Sequence, residues 1–521
     1  MILSLALCLL ACKTASGSGG APDALASQAP EAGAREAGIM TDARVSGDAS
    51  VQSDAQSPVH SSDAAPDAPP AMDAANQPEA STALDAASLQ DASAALDAAN
   101  QPDAGHVLDA SGSADDDASA SDASMPAPPI TCVGSVALDA YVSDPKLCVY
   151  VYAQNLGAAR QLAFAPNGDL FVNNSALTVL WDVDHDGTSG ANERATFASA
   201  SGLNHGLAFS RDQKFVYASS ETTVYRWSYA SGQRAAAAAA EVVIAGIPSG
   251  GHSTRTLAFD SSGHLIVSVG SASNVDTTQQ EWDTRAQLRR FIIPASLPSG
   301  GLAYASGEVI ARGMRNDVGV FVDASDHIWS VENGRDNLSD NDLGGDIHND
   351  NPGEEINFID GQGASFYGYP LCFSEYLLNA GMGPGAQWAD QTLDPSLQKT
   401  DAFCRDPSNV HQPAFVLPAH WAPLGIAQYT GRSLPFAGDL LIASHGSWNR
   451  QPAVGRVLAR AHLEQGHVVS LTTLLGEKDS GGNLQQGTWS VRPVDVRQGP
   501  DDAVYVSDDQ GGRVLKIGYA H

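Results

Sequence analysis

The chain has 521 residues and carries 60 acidic against 28 basic side chains, a formal net charge of −32 at pH 7. So acidic a composition offers no basic stripe to neutralise phosphates, which argues against nucleic acid as a partner. Beyond a short apolar stretch at the N-terminus, no run is long and apolar enough to span a bilayer as a helix.

The N-terminus reads MILSLALCLLACK, an apolar run with a small residue ahead of a cysteine, the pattern of a short secretory h-region. Leu9-Leu10-Ala11-Cys12 resembles the lipobox of bacterial lipoproteins. That resemblance implies that residues 1–12 are a lipoprotein-type signal segment and that Cys12 is lipidated. An ordinary secretory signal with an incidental cysteine is the alternative. Stable anchoring takes two or more acyl chains, so the expected location is exported and lipid-anchored to the cell envelope, at the outer membrane or the periplasmic face. Export also suits the cysteines. With Cys8 in the signal and Cys12 acylated, four remain, and proximity in sequence pairs Cys132 with Cys148 and Cys372 with Cys404.

Residues 13–130 are almost entirely Ala, Asp, Ser, Pro, Gly and Gln. From Lys13 to Pro129 there are 19 acidic and 3 basic residues, a net of −16 and half of the total charge. Acidic residues recur at every sixth position from Asp73 to Asp115, a period that fits neither a helical stripe nor a strand alternation. With little apolar surface to bury and strong self-repulsion, such a segment does not offset its ordering entropy. It is expected to be a disordered tether with a root-mean-square span of roughly 60 Å.

From residue 131 to 521 one phrase returns six times: an apolar triplet, a turn usually containing glycine, then an alternating apolar strand. It reads LAFAPNGDLFVNN from Leu162, GLAFSRDQKFVYAS from Gly206, TLAFDSSGHLIVSV from Thr256 and GVFVDASDHIWSVENG from Gly319. It returns, stretched, as LGIAQYTGRSLPFAGDLLIASHG from Leu424, and last as VDVRQGPDDAVYVSDD from Val494. Each copy is followed by further short strand-like text. Repeated short strands with turn residues at steady offsets predict an all-β fold, a six-bladed β-propeller closed by an N-terminal strand around Val149–Tyr152. A propeller places its chemistry on the loops leading into the innermost strands. Just ahead of inner-strand phrases stand His205, His252 with Arg255, Arg315 with Asn316, and Arg492.

Within the first repeat, Asp182-Val-Asp184-His-Asp186-Gly187 with Glu193 at the twelfth position satisfies the EF-hand loop pattern. Its flanks, Leu177–Leu180 and Ala195–Phe197, read as strands, so a Ca²⁺-binding hairpin loop with a structural role is expected. An Asp-rich turn without metal is the bland alternative. His411, Arg432 and the alanine run 235–240 read as ordinary loop residues.

GGHSTRTLAF, ARGMRNDVGV, ENGRD, FYGYP, LIASHGSWNR and VRPVDV…VYVSDDQGG occur in that order. Together they resemble the soluble pyrroloquinoline-quinone (PQQ) dehydrogenases of the sorbosone dehydrogenase and glucose dehydrogenase type, six-bladed propellers, over most of Gln161 to Ile517. The resemblance implies PQQ and Ca²⁺ as cofactors and a sugar as substrate. It makes His252 the base that takes a hydroxyl proton as hydride leaves the same carbon. Arg315 and Asn316 match the pair at the quinone's reactive carbonyl, where a fixed cation stabilises developing negative charge. Gly334 and Arg335 match the turn whose backbone carbonyls hold the Ca²⁺, which polarises the quinone as a Lewis acid. Arg492 matches an arginine that pairs with the cofactor's carboxylates, with Arg255 and Arg450 as further partners. His205 is expected at the channel mouth, against cofactor or substrate or bracing a loop.

Two departures from the glucose dehydrogenase branch are visible. Where that branch has a PQQ-binding lysine, this chain reads Ser444-His445-Gly446-Ser447-Trp448-Asn449-Arg450, so His445 or Arg450 is expected in the lysine's place. An Asp- and Asn-rich insertion, residues 337–353, follows the calcium turn and reads as a metal site or a solvated loop. The expected activity is oxidation of a pyranose, aldose or sugar aldehyde to a lactone or acid, with electrons passing on to a cytochrome or membrane quinone. Two other classes compete: a calcium-dependent lactonase, against which Arg255, Arg315 and Arg492 argue, and a non-enzymatic binding propeller on a lipid-anchored stalk.

Overall fold

Each of the six phrases folds into an antiparallel hairpin in the computed structural model, tight in five of them and joined by a longer loop, residues 429–439, in the fifth copy. That structure describes residues 132–361 and 363–520, with the backbone alone at residues 280 and 281. The signal segment, Cys12 and the tether expected at 13–130 lie outside the described residues. The hairpins pair Leu162 with Val172, Leu207 with Ala218, Leu257 with Val267, Val320 with Ser330, Ile426 with Ile442 and Val496 with Val506. The turns of the five tight hairpins share one device. The fourth turn residue adopts a left-handed conformation, at Gly168 (φ 89°) and Gly263 (φ 81°), and its N–H returns to the carbonyl of the first. Glycine meets that conformation without a Cβ clash. Gln213, Asp326 and Asp502 adopt it as well.

Two further antiparallel strands extend each hairpin outward, giving six four-stranded blades, with short extra strands at the edges of three of them. Among the described residues, no helix is long and apolar enough to cross a membrane. The sixth blade is completed from the other end of the chain. Leu147–Ala153 pairs along Arg513–Tyr519, with Val149 opposite Ile517 and Val151 opposite Leu515. This is the closing strand expected around Val149–Tyr152, and it leaves the ring without an unpaired seam.

Around the axis, side chains of one inner hairpin bind backbone of the next. Leu162 N–H donates to Asp495 (2.8 Å), Leu207 N–H to Gln161 Oε1 (2.8 Å), and Ser219 Oγ to Arg255 O (2.6 Å), while Thr256 Oγ1 donates to Val318 O. Between blades the core is apolar and aromatic. Fully buried Phe171 meets Phe197, Phe209 and Tyr229 edge to face, with ring centroids 5.1, 5.1 and 5.7 Å away. The cysteines pair as Cys132–Cys148 and Cys372–Cys404; the second pair ties strand Cys372–Ser374 to helix Asp401–Arg405. Removing the Phe171 ring deletes three aromatic contacts from a site with little room to collapse. Phe171→Ala is expected to lower stability by about 3–5 kcal/mol, read as a lower midpoint in urea unfolding of the full chain; an unchanged midpoint contradicts this packing.

Candidate active site

A hairpin that runs down the channel and back returns its second strand to the end where the first began. Residues just before an inner strand and just after its partner therefore share one mouth. There a cavity of about 420 Å³ is lined by His252, Arg315, Asn316, Gly334, His445 and Arg492, with Asn274, Asn333, Asp336, Glu354, His420 and Trp448.

His252 is fixed by its own loop. Its backbone N–H donates to Ser271 O (3.0 Å), and its ring Nδ1 lies 3.1 Å from the same carbonyl and 3.0 Å from Ser271 Oγ. A carbonyl only accepts, and Ser271 Oγ spends its proton on Ser273 O. Nδ1 therefore carries the hydrogen and Nε2 keeps a bare lone pair, the form a general base needs. Burial, followed by the nearby Arg315 charge, pushes the His252 pKa down to about 4, so the ring is neutral at pH 7.

Arg315 is 5% exposed and is held from three sides. Nε donates to Asn274 O (3.0 Å), one terminal nitrogen to Asn333 O (3.1 Å), the other to Asn274 Oδ1 (3.0 Å) and Asp336 (3.2 Å). Arg492 differs. Its guanidinium makes a single long contact, Nε to His445 O at 3.4 Å, and among the described residues its terminal nitrogens have no acceptor. It is a cation in the mouth with its fork still available for a carboxylate.

Three expected cofactor contacts are not at the mouth. Arg255 is fully buried, and its guanidinium donates to the carbonyls of Glu221, His252, Thr254 and Pro248. It braces the His252 loop, and burial pushes its pKa down to about 10. Arg450 is turned outward, bonded to Asn349 O (2.8 Å), Pro452 O (2.7 Å) and Asp350 (2.8 Å). His205 is 1% exposed, accepts from Arg160 Nε (3.3 Å), and is held neutral by burial; bracing is the role its position gives it. His445 does line the cavity, but not as a lysine-like cation. Its Nε2 is 3.0 Å from Asp509, which also binds Arg160 (2.8 Å), and burial keeps its pKa below the ordinary value.

Gly334 lines the cavity, and the Arg335 side chain is drawn away to Asp390 and Thr392. The sequence reading passed over Glu354. It is 4% exposed, accepts from Gly334 N (2.6 Å) and Ala422 N (3.1 Å), and burial pushes its pKa up to about 8. The only cue was its place directly after the insertion. Asp336 closes the ENGRD motif but was given no role there, and Asn274 and His420 lay in no motif at all. On the other cluster, the carboxylates of Asp182, Asp184 and Glu193 converge within 4.8 Å of one another. Asp186 is not part of that group; its carboxylate caps Thr188 N (2.8 Å) and Oγ1 (2.5 Å) within the loop.

The donor set fits the two groups that the sequence implies. Arg492, Arg315 and Asn316 present cationic and amide donors to a polycarboxylate quinone, and the Gly334 turn with Glu354 and Asp336 offers oxygen ligands to a hard cation. An anionic group bound beside Arg315 offsets the positive charge that depresses His252. The His252 ring is therefore expected to titrate by NMR with a midpoint near pH 4 in the cofactor-free chain and to move upward when PQQ is added. A midpoint near 6.5 contradicts the buried, cation-flanked environment.

The chain matches the TrAA12-like family model over residues 142–520. It is 34% identical over 344 residues to a pyrroloquinoline quinone-dependent pyranose dehydrogenase of Coprinopsis cinerea, covering 60% of this chain and 46% of that protein. A pyrroloquinoline quinone-dependent sugar dehydrogenase of Hypocrea jecorina is 32% identical over 313 residues, 56% of this chain and 70% of that one. The chain thus spans about half the length of the first of these relatives. Among solved structures, the holo PQQ domain of the C. cinerea pyranose dehydrogenase has a TM-score of 0.64 at 27% identity, covering 74% of this chain and 98% of that domain. A calcium structure of a Trichoderma reesei AA12-family carbohydrate-active enzyme has a TM-score of 0.64 at 28% identity, with the same coverage. With more than half of its length matched, this chain belongs to the TrAA12-like family of PQQ-dependent sugar dehydrogenases.

Proposed function

We propose that this chain oxidises a pyranose, aldose or sugar aldehyde, of the sorbosone or glucose kind, to the lactone or acid. The observation that carries the reading is His252, a neutral imidazole with its Nε2 lone pair free, in one cavity with Arg315 and the unspent fork of Arg492. When bound, PQQ supplies the two-electron acceptor for hydride. Arg492, Arg315 and Asn316 are the residues that would hold it, and Gly334 with Arg335 and Glu354 would supply Ca²⁺ with oxygen ligands.

The protein's own part is a proton transfer and its electrostatics. A sugar hydroxyl directed at His252 Nε2 gives up its proton there, while Nδ1–H stays bonded to Ser271 O and keeps the ring from turning. The imidazolium that forms lies beside Arg315, so the proton leaves readily to solvent and the base is reset. The Arg315 guanidinium, locked by Asn274, Asn333 and Asp336, needs no reorganisation to stabilise negative charge arising in the mouth. The lipid anchor at Cys12, export along the 13–130 tether and a cytochrome or membrane quinone as electron acceptor complete the proposal. The Asp182–Glu193 loop is proposed as a structural Ca²⁺ site, at the outer part of the first blade and apart from the mouth.

With PQQ, Ca²⁺ and a dye acceptor, the chain is expected to reduce dye on a panel of aldoses, sorbosone and glucosone. His252→Ala is expected to lower kcat by roughly 10²–10⁴-fold while PQQ binding, followed by its absorbance, is retained. Turnover undiminished in the variant overturns His252 as the base. Absence of PQQ binding in the parent chain overturns the dehydrogenase reading and favours a binding propeller on a stalk.

A further inference from the structure

The sequence has eight tryptophans. Seven are buried or half-buried in the described structure, and several of these have a partner group on the ring, as Arg234 does 3.7 Å from Trp181. Trp448 is 79% exposed, although it lines the cavity of His252 and Arg492. An indole left bare at the rim of a polar cavity is an unused apolar face, and large bare apolar groups beside a cleft mark contact sites.

The loop that carries it is held on both sides. Before Trp448, Gly446 N donates to Trp421 O (3.0 Å) and Ser447 N to Val454 O (3.0 Å). After it, Arg450 grips Asn349 O and Asp350, and Gln451 N donates to Asn349 Oδ1 (3.0 Å). The loop that carries the indole is thus anchored, and on its C-terminal side the anchor is the 337–353 insertion.

That insertion lines a second cavity, of about 310 Å³, with Asp346, His348, Asn349, Asp350 and, from a neighbouring loop, Asn379. The walls of the two cavities touch at one place. His420, in the wall of the first, bonds through Nε2 to the carbonyl of His348 in the wall of the second. Arg450, two residues past Trp448, reaches Asn349 and Asp350 in that second wall. An aromatic face followed by amides and carboxylates matches one ligand chemistry, the saccharide. Its C–H face packs on an indole and its hydroxyl rim pairs with planar side-chain oxygens and amides. An acidic ligand would be repelled by Asp346 and Asp350, and an apolar one would strip water from their remaining lone pairs without replacing it.

We propose that the substrate groove continues from His252 across Trp448 into the cleft of Asn349 and Asn379, and that the substrate is a disaccharide or longer saccharide whose terminal ring lies at His252. The inference rests on the dehydrogenase reading above and assigns the residues 337–353 to a second sugar subsite.

Two measurements test it on the full chain. In dye reduction with PQQ and Ca²⁺, at least one of cellobiose, maltose and lactose is expected to show a KM tenfold or more below that of glucose. Trp448→Ala should raise that KM tenfold or more, with kcat lowered less than threefold, and Trp448→Phe should restore most of the loss. In the cofactor-free chain, the same disaccharide should change tryptophan emission in the wild type but not in Trp448→Phe. Equal KM values for glucose and every disaccharide, or an equal rise for glucose in Trp448→Ala, overturn the second subsite. If the chain binds no PQQ the dehydrogenase reading falls by itself, and the emission change still decides the groove: its presence sustains the saccharide site and its absence ends it.

Discussion

Everything at the mouth depends on ring closure. Six inner hairpins hold their spacing because each is bonded to its neighbour around the axis, and the circle is completed only when Leu147–Ala153 joins Arg513–Tyr519. The bonds near the axis run from side chain to backbone, as at Leu162 N to Asp495 and Ser219 Oγ to Arg255 O. The backbones also approach closely: a Cβ on Gly206 would lie 2.2 Å from Arg255 O, and one on Gly425 would lie 2.6 Å from Val494 O. Because no blade shifts alone, loops from four blades are held at one cavity, and short segments suffice to position His252, Arg315, His445 and Arg492.

The mouth sorts its cations by what each is bonded to. Arg255 is spent on four carbonyls and supports the His252 loop from beneath. Arg160 is paired with Asp509, which also orients His445. Arg315 makes four hydrogen bonds to the protein and so acts mainly as a fixed charge, while Arg492 keeps its terminal nitrogens available. The division explains how a chain of net charge −32 can still offer a local site for a polyanion. Half of the acidic excess belongs to residues 13–129.

The fold was largely legible because the hairpin signal is local. In five of the phrases an apolar triplet, a turn with its left-handed position and an alternating strand lie within about fifteen residues, the fifth copy being stretched, and all six phrases became inner hairpins. The site was legible in part. His252, Arg315, Asn316, Gly334, His445 and Arg492 reach the cavity because motif and position agree. Arg255, Arg450 and His205 stand at equally suggestive places in the sequence, but where a guanidinium or imidazole points depends on carbonyls supplied by other loops, such as Pro248 O and Asn349 O. Glu354, Asn274 and His420 were missed for the converse reason. Their importance comes from convergence of three blades, which no spacing along the chain encodes.

The mouth's donors would hold an anionic quinone together with a hard cation, and absorbance titration of the full chain with PQQ tests this most directly. Saturable binding of one PQQ per chain, dependent on Ca²⁺ and weakened roughly tenfold or more in Arg492→Ala, as loss of a charge-assisted bond implies, is the expected result. Binding that is indifferent to both Ca²⁺ and Arg492, or no binding at all, would contradict it.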